Sequence, residues 1–263
     1  MSRQPEIGQI PADAEKALKA VEKDFDAVEA SLLKESARLH EPIFNKRNAI
    51  VEKIDGFWSQ ALVNCVSTNV YIDDDDHALL DHLTKVEVKR NPEEPRAATI
   101  EFHFSPNEFI EEPVLVKEFK LDPAAGEFSA QFDFASETVP QKTKVTWKSE
   151  EKNLSKRKPT TGTLRDDAVV EDEDEEDDFE PGSFFSSFFD SESRQVAGSI
   201  GRAIVEDLFP NAVQHYENPS LYDDEEEEDE SDDEEDEEDE DDADKEIDLE
   251  EEEKRPSKKS RSK

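Results

Sequence analysis

The sequence holds a single cysteine, Cys65, so neither an internal disulfide framework nor a cysteine-based zinc site is expected. Glycine is scarce, seven in 263 residues. There is no glycine-rich phosphate loop, no nucleophile elbow and no His-x-x-x-His pair. No apolar run approaches the roughly 20 residues of a membrane-spanning helix. The opening stretch MSRQPEIGQIPADAEK is polar and charged and lacks the apolar core of a signal peptide. Positive charge is also short: 32 Lys and Arg stand against 72 Asp and Glu, a formal net charge of −40. Phosphate binding needs positive charge, so direct specific nucleic-acid binding is not expected. No catalytic residue, cofactor site or metal site is assigned. A soluble intracellular protein with basic proteins as partners is expected.

The charge is unevenly spread. Asp223 to Glu253 is 31 residues with 26 Asp or Glu and one Lys, or −25. Lys254 to Lys263 adds +6, which leaves −21 of the total −40 in residues 1–222. A segment such as DDEEEEDESDDEEDEEDEDD repels itself and cannot bury enough apolar surface to offset its ordering entropy, so 223–253 is read as disordered. The basic end KRPSKKSRSK, with Lys254, Arg255, Lys258, Lys259 and Arg261, is readable by a nuclear import receptor. Its plainer readings are a merely solvated basic tail or one that folds back on the acidic run. Ser231 in DESDDEED sits where an acid-seeking kinase would act.

The body changes period along its length. Leu18, Val21, Phe25, Val28 and Leu32 step by three and four, and Leu39, Ile43, Ile50, Ile54, Phe57 and Ala61 continue the stripe. The spacing predicts a helix over about 12–61, kinked or broken at Pro42. At about 1.5 Å per residue it would run some 60–75 Å, more than one small domain covers. A second copy in a two-fold dimer is the simplest cover, and an intramolecular hairpin at Pro42 is the alternative. Strand alternation then appears at Val86 and Val88, at Ile100, Phe102 and Phe104, at Phe128, Ala130, Phe132 and Phe134, and at Val145 and Trp147. VLVKEFKL at 114–121 is a further strand. Turn-like separators at 91–95, 105–107 and 122–126 imply an antiparallel meander with one wet face.

Residues 153–180 read as a long acidic loop. Beyond it SFFSSFFDSES at 183–193 sets Phe184, Phe185, Phe188 and Phe189 four apart in pairs, as one or two helical turns would gather them. This is read as an anchor that returns the chain to the sheet, with an exposed docking peptide as the alternative. Ile200, Ile204, Val205, Leu208 and Phe209 give helical spacing stopped by Pro210, and Val213 and Tyr216 suggest a last short helix. Asp73 to Asp76 before His77 are read as a solvated loop whose last aspartate caps a helix. His103 and His215 are read as surface residues, and Cys65 as a small hydrophobe within a helix. The fold expected is α+β: a long helix, an antiparallel sheet, then short covering helices.

Several motifs together resemble the nucleosome assembly protein family. RNAIVEKIDGFW at 47–58, IEFHFSPNEFI at 100–110, VLVKEF at 114–119, VTWKSE at 145–150, SFFSSF at 183–188 and EDLFPNAVQHY at 206–216 follow the family's order. The resemblance covers roughly residues 14–222. The compact length and single acidic tail are similar to the SET, or template-activating-factor, branch, and the basic end resembles its short fungal members. Where the family often has Asn-Pro-Tyr-Phe, this chain has Asn107-Glu108-Phe109-Ile110.

The resemblance implies a headphone-shaped homodimer whose long helices pair antiparallel, with an α+β earmuff on each subunit. The organisation expected is an arm at 1–11, the dimerisation helix at 12–61, the earmuff at 62–222 with an acidic loop near 153–182, the acidic tail at 223–253 and the basic terminus at 254–263. Dimer contacts would fall on Leu18, Val21, Phe25, Val28, Leu32, Leu39, Ile43, Ile50 and Ile54. Family members bind core histones and move them on and off DNA. The histone-binding candidates here are Glu206 and Asp207, on the polar side of a helix anchored by Leu208 and Phe209, and the start of the tail, Asp223, Asp224, Glu225, Glu226, Glu227, Glu228, Asp229 and Glu230. For Glu206 and Asp207 the plainer reading is solvated helix charge. The expected activity is that of a nuclear histone chaperone, shuttling with the cytoplasm. The alternatives are an acidic regulatory subunit of a chromatin enzyme, either a histone acetyltransferase cofactor or a phosphatase inhibitor, and a cytosolic import escort for basic proteins.

Overall fold

The computed structural model of the chain describes residues 8, 10–129, 131–162 and 179–218. These fall in the larger of its two compact units, and the second, residues 225–263, lies outside them. Helix α1 spans Ala12–Val51, 40 residues and about 60 Å of axis. Pro11 precedes its first residue, and Asp13 and Glu15 in the first turn complement the positive end of the helix dipole. Pro42 lies inside the helix, which continues without a break, so the alternative of an intramolecular hairpin at Pro42 does not form. Proline there removes one backbone donor and leaves the rest of the ladder in place.

The helix ends ten residues before the expected boundary. Residues 52–56 form a turn in which Gly56 adopts φ +72°, a left-handed conformation that glycine enters without penalty. Helix α2, Phe57–Asn64, then dives into the core with Phe57, Trp58, Ala61 and Leu62 buried. The expected stripe therefore stops at Ile50. Ile54 sits in the turn, and Phe57 and Ala61 are core residues. Cys65 is buried, but at the break between α2 and the short α3, Val66–Asn69, rather than within a helix. Helix α4 spans His77–Leu80.

The sheet is an antiparallel meander in the order β1-β2-β3-β4: Leu83–Arg90, Ala98–Phe104, Val114–Leu121 and Thr138–Pro140. Ala98, Ile100, Phe102 and Phe104 of β2 alternate buried with half-buried neighbours, as the period-two pattern requires. Two expected strands do not form. Around Phe128–Phe134 the Ser129 and Asp133 side chains capture the amides of Gln131 and Ser136, at 3.1 and 2.8 Å. Such local bonds compete with a ladder, and the segment closes into helix α5, Phe134–Glu137. Phe134 is still fully buried, 5.1 Å from Phe119, whereas Phe128 and Phe132 are half-buried. Ala130 lies outside the described residues. The Val145–Trp147 segment makes a single bridge, Trp147 to Ile110, instead of a ladder.

Helix α6 spans Leu154–Arg157. The remaining cover is a π-helical turn at Phe185–Phe189, another at Arg194–Gly198, helix α7 at Ser199–Arg202, a third π-helical turn at Ala203–Leu208 and helix α8 at Ala212–Glu217. Phe184, Phe185, Phe188 and Phe189 are all fully buried. Phe189 meets Phe102 at 5.3 Å, Phe188 meets Phe119 at 6.2 Å and Phe185 meets Trp147 at 5.7 Å. The run is core, which removes the exposed docking peptide.

Two buried charges hold this turn at its ends. Asp76 does not cap α4 as expected; Asp73 caps the turn at Asp74–Asp76 instead. The Asp76 carboxylate accepts bonds from Ser183 Oγ at 2.5 Å, Phe184 N at 2.6 Å and Asp73 N at 2.9 Å. At the other end Lys117, on the core face of β3, donates to the Ser191 carbonyl at 2.6 Å and the Phe189 carbonyl at 3.4 Å. A carboxylate at the start and an ammonium at the end each complement the dipole of the turn.

Burial raises the Asp76 carboxyl and lowers the Lys117 ammonium to about 7. An unfolded lysine titrates near 10.4, so above about pH 7 the unfolded chain holds a proton that the folded chain lacks. Stability from this site should rise with pH by up to about 1.4 kcal/mol per unit in that window, and be lost as pH falls through 7. Lys117→Met should remove that slope. Denaturant unfolding of both proteins between about pH 7 and 9, at fixed protein concentration, checks it. Parallel pH profiles for the two would contradict it.

Candidate functional site

Helix α1 carries two apolar faces. On one, Leu33, Ala37, Phe44, Asn48 and Val51 are half-buried or buried against the chain's own body. Phe44 meets Phe209 edge-on at 4.9 Å. The Arg47 guanidinium lies 4.5 Å over Phe209, 5.0 Å over Phe44 and 5.4 Å over Trp58, and donates to the Phe209 carbonyl. Burial lowers Arg47 to about 10, which keeps it charged at neutral pH. This cation–π stack fixes the C-terminal third of α1 to the body.

The other face is left uncovered by the described residues. Leu18, Val21, Phe25, Val28, Leu32, Leu39, Ile43 and Ile50 are exposed, from 46% at Val21 to 65% at Phe25 and Ile50. Ile54 is 40% exposed in the following turn. Single exposed apolar residues are ordinary, but a row extending about 50 Å along one helix marks an interaction surface.

The two acidic candidates on the body are engaged locally. Glu206 is exposed, and partial burial of its carboxyl raises it, opposed by Arg90 and Arg202. Asp207 lies 3.1 Å from His215 Nε2 and accepts from Asn211 Nδ2 at 3.1 Å. His215 is thus half-buried with its Nε2 against this carboxylate, not a free surface residue. His103 likewise meets Glu87 and Glu101 at 3.5 and 3.4 Å. The remaining candidates, Asp223 to Glu230, Ser231 and the basic residues Lys254 to Arg261, lie outside the described residues.

The described residues that flank the acidic segment are joined through main chain. Thr161 and Glu180 exchange both backbone bonds, at 2.9 and 3.0 Å, and so tie together the two ends of the segment that carries Glu171–Asp178. Gly182 adopts φ +68°, and a Cβ there would meet the Lys158 and Pro159 carbonyl oxygens at 2.6 Å. Thr160 Oγ1 shares bonds with the hydroxyls of Ser186 and Ser187, each at 2.9 Å, joining these flanks to the phenylalanine turn. The serines of SFFSSF therefore serve as interior fasteners. Sequence reasoning passed over them, and over Arg47 and Lys117, and read Asp76 only as a helix cap. Only Lys117 left a signal, at an inward position of the VLVKEFKL alternation.

A model of the nucleosome assembly protein (NAP) family matches residues 51–255. The protein SETSIP of Homo sapiens is 31% identical over 72% of this chain and 58% of its own length. Protein SET of Drosophila melanogaster is 30% identical over 70% of this chain and 63% of its own. The match thus spans less than two thirds of either relative. A putative nucleosome assembly protein of Schizosaccharomyces pombe is 31% identical over 78% of this chain and 80% of its own. Among solved structures, Ccp1 superposes with a TM-score of 0.57 at 23% identity, covering 80% of this chain and 96% of that one. The Vps75 histone chaperone does so with 0.55 at 18% identity, covering 81% and 99%. At such identities the structures show a shared fold: a long N-terminal helix, then an antiparallel sheet covered by short helices. With the family model matching from the end of α1 into the tail, the chain belongs to the nucleosome assembly protein family.

Proposed function

We propose that the chain is a non-enzymatic histone chaperone. It pairs with a second copy through the uncovered face of α1, binds basic core histones, shields them from non-specific DNA contacts and assists nucleosome assembly and disassembly. The family match over residues 51–255 carries this reading. The net charge of −40 supports it, since a dimer would present twice that charge to a basic partner. Long-range attraction raises the encounter rate. Glu206, Asp207 and the tail from Asp223 to Glu230 are the proposed contacts, with the rigid body adding burial to charge. Lys254, Arg255, Lys258, Lys259 and Arg261 would engage an import receptor, placing the protein in the nucleus with cytoplasmic shuttling.

Deleting 223–263 should weaken core-histone binding by roughly 10-fold or more and flatten its salt dependence, as loss of long-range steering does. Titration calorimetry at two ionic strengths measures both, with circular dichroism as the control for the body. Unchanged affinity and salt slope in a folded truncation would overturn the tail's role.

A further inference from the structure

Two groups of side chains in the body bring three metal-ligating atoms within 4.8 Å of one another: Glu87, Glu101 and His103 on the outer face of the sheet, and Cys65, Asp207 and His215 between α2, the Ala203–Leu208 turn and α8. The first group is already neutralised, with Lys85 2.6 Å from Glu87 and Lys89 2.6 Å from Glu101. A metal ion there would have to displace two ammonium groups. In the second, Asp207 meets the His215 imidazole and the Asn211 amide, and no lysine or arginine pairs with it among the described residues.

We propose that Cys65, Asp207 and His215 form a binding site for one divalent metal ion, with zinc as the best fit. A thiolate, an imidazole and a carboxylate are the ligand types that zinc takes, and three protein ligands leave a fourth position for water or a partner's side chain. Thiolate and carboxylate together cancel the charge of the ion. Cys65 Sγ lies 4.0 Å from Asp207 Oδ2. In a tetrahedral site with Zn–S near 2.3 Å and Zn–O near 2.0 Å the two would stand about 3.5 Å apart, a side-chain shift of about half an ångström.

Access is also right. Cys65 is 1% exposed, the His215 side chain 13% and that of Asp207 50%. Two ligands are enclosed and the carboxylate stands at the mouth. Asn64, next to Cys65, donates to the His215 carbonyl at 2.7 Å, so α2 and α8 already hold two ligands in register. On binding, the thiol proton passes to solvent as the Zn–S bond forms. The ion joins α2 to α8, the last described helix before the acidic tail. The spacing rules of zinc motifs do not reveal such a site, because its ligands are 142 and 8 residues apart in the chain. Asp207 is also one of the proposed histone contacts, but metal binding is measured on the chain without histones.

Cobalt(II) titration of the full chain tests the site. The chain has one cysteine, so a thiolate-to-cobalt charge-transfer band can arise only at Cys65. The acidic tail binds ions but yields no such band. The band should saturate at one cobalt per chain, vanish on addition of one equivalent of zinc and be absent in Cys65→Ser. Asp207→Asn alters a half-exposed side chain and leaves the core intact; it should weaken cobalt binding by about 10-fold or more. No band in the folded full chain at saturating cobalt, or unchanged affinity in Asp207→Asn, would overturn the proposal.

Discussion

Serine at both Phe184 and Phe188 should leave the body unfolded at temperatures where the native chain is stable. Both rings are fully buried and 5.3 Å apart, and between them they touch Phe102, Phe119, Phe185 and Phe189. Removing one buried phenylalanine side chain costs about 3–5 kcal/mol. Two in contact share part of their cavity, so the pair falls short of the sum. A loss on the order of 6–8 kcal/mol still consumes most of the 5–15 kcal/mol that holds a domain together. The substitutions also leave two hydroxyls in an apolar space, beside a turn whose first amide is bonded to Asp76. Thermal unfolding by circular dichroism reads the effect. An unchanged melting temperature with lost partner binding would restore the docking peptide.

Aspartate at both Val28 and Leu32 should convert a dimer to monomers while leaving each body folded. The two residues are 55% and 57% exposed in the single chain and stand one turn apart near the centre of the uncovered face. In a two-fold pairing of α1 helices each substitution is met twice, which places four carboxylates in one apolar seam, and each costs several kcal/mol if it stays charged and unpaired. The body is indifferent, because its own hold on α1 lies on the face of Phe44, Arg47 and Val51. Light scattering should give about 60 kDa for the native chain, twice its 30.0 kDa, and 30.0 kDa for the variant. A dimer mass in both would sink the pairing of these helices.

What was legible in the sequence follows from period. The strand at 98–104 alternates cleanly, those at 83–90 and 114–121 do so over shorter or less regular runs, α1 steps helically over its length, and the structure has all four. Phe128 to Phe134 shows how the same signal misleads. Its alternation is as clean as that of β2, but Ser129 and Asp133 offer the backbone nearer partners than a neighbouring strand. The three residues of β4 are too short to carry a period. The end of α1 turns on Gly56, and the apolar residues on both sides of it hid the break.

The clamp on the phenylalanine turn was beyond reach for a different reason. Asp76 and Lys117 act on residues 108 and 72 positions away, and no local pattern encodes a partner at that range. In the sequence Asp76 is one of four consecutive aspartates, and only the fold picks it out as the interior one. The same limit applies to Glu206 and Asp207. Their helix and its anchors were readable, but Arg90, His215 and Asn211, which engage them, were not.

The chain is proposed to take core histones from non-specific DNA contacts and keep them in solution. Sedimentation of core histones mixed with a short DNA fragment, with increasing amounts of the full chain at physiological ionic strength, tests it most directly. The account predicts that histones move from the DNA and from insoluble aggregates into a soluble complex with the chain, and that much more of the 223–263 deletion is needed for the same transfer. Histones that stay with the DNA while the folded chain sediments alone would contradict it.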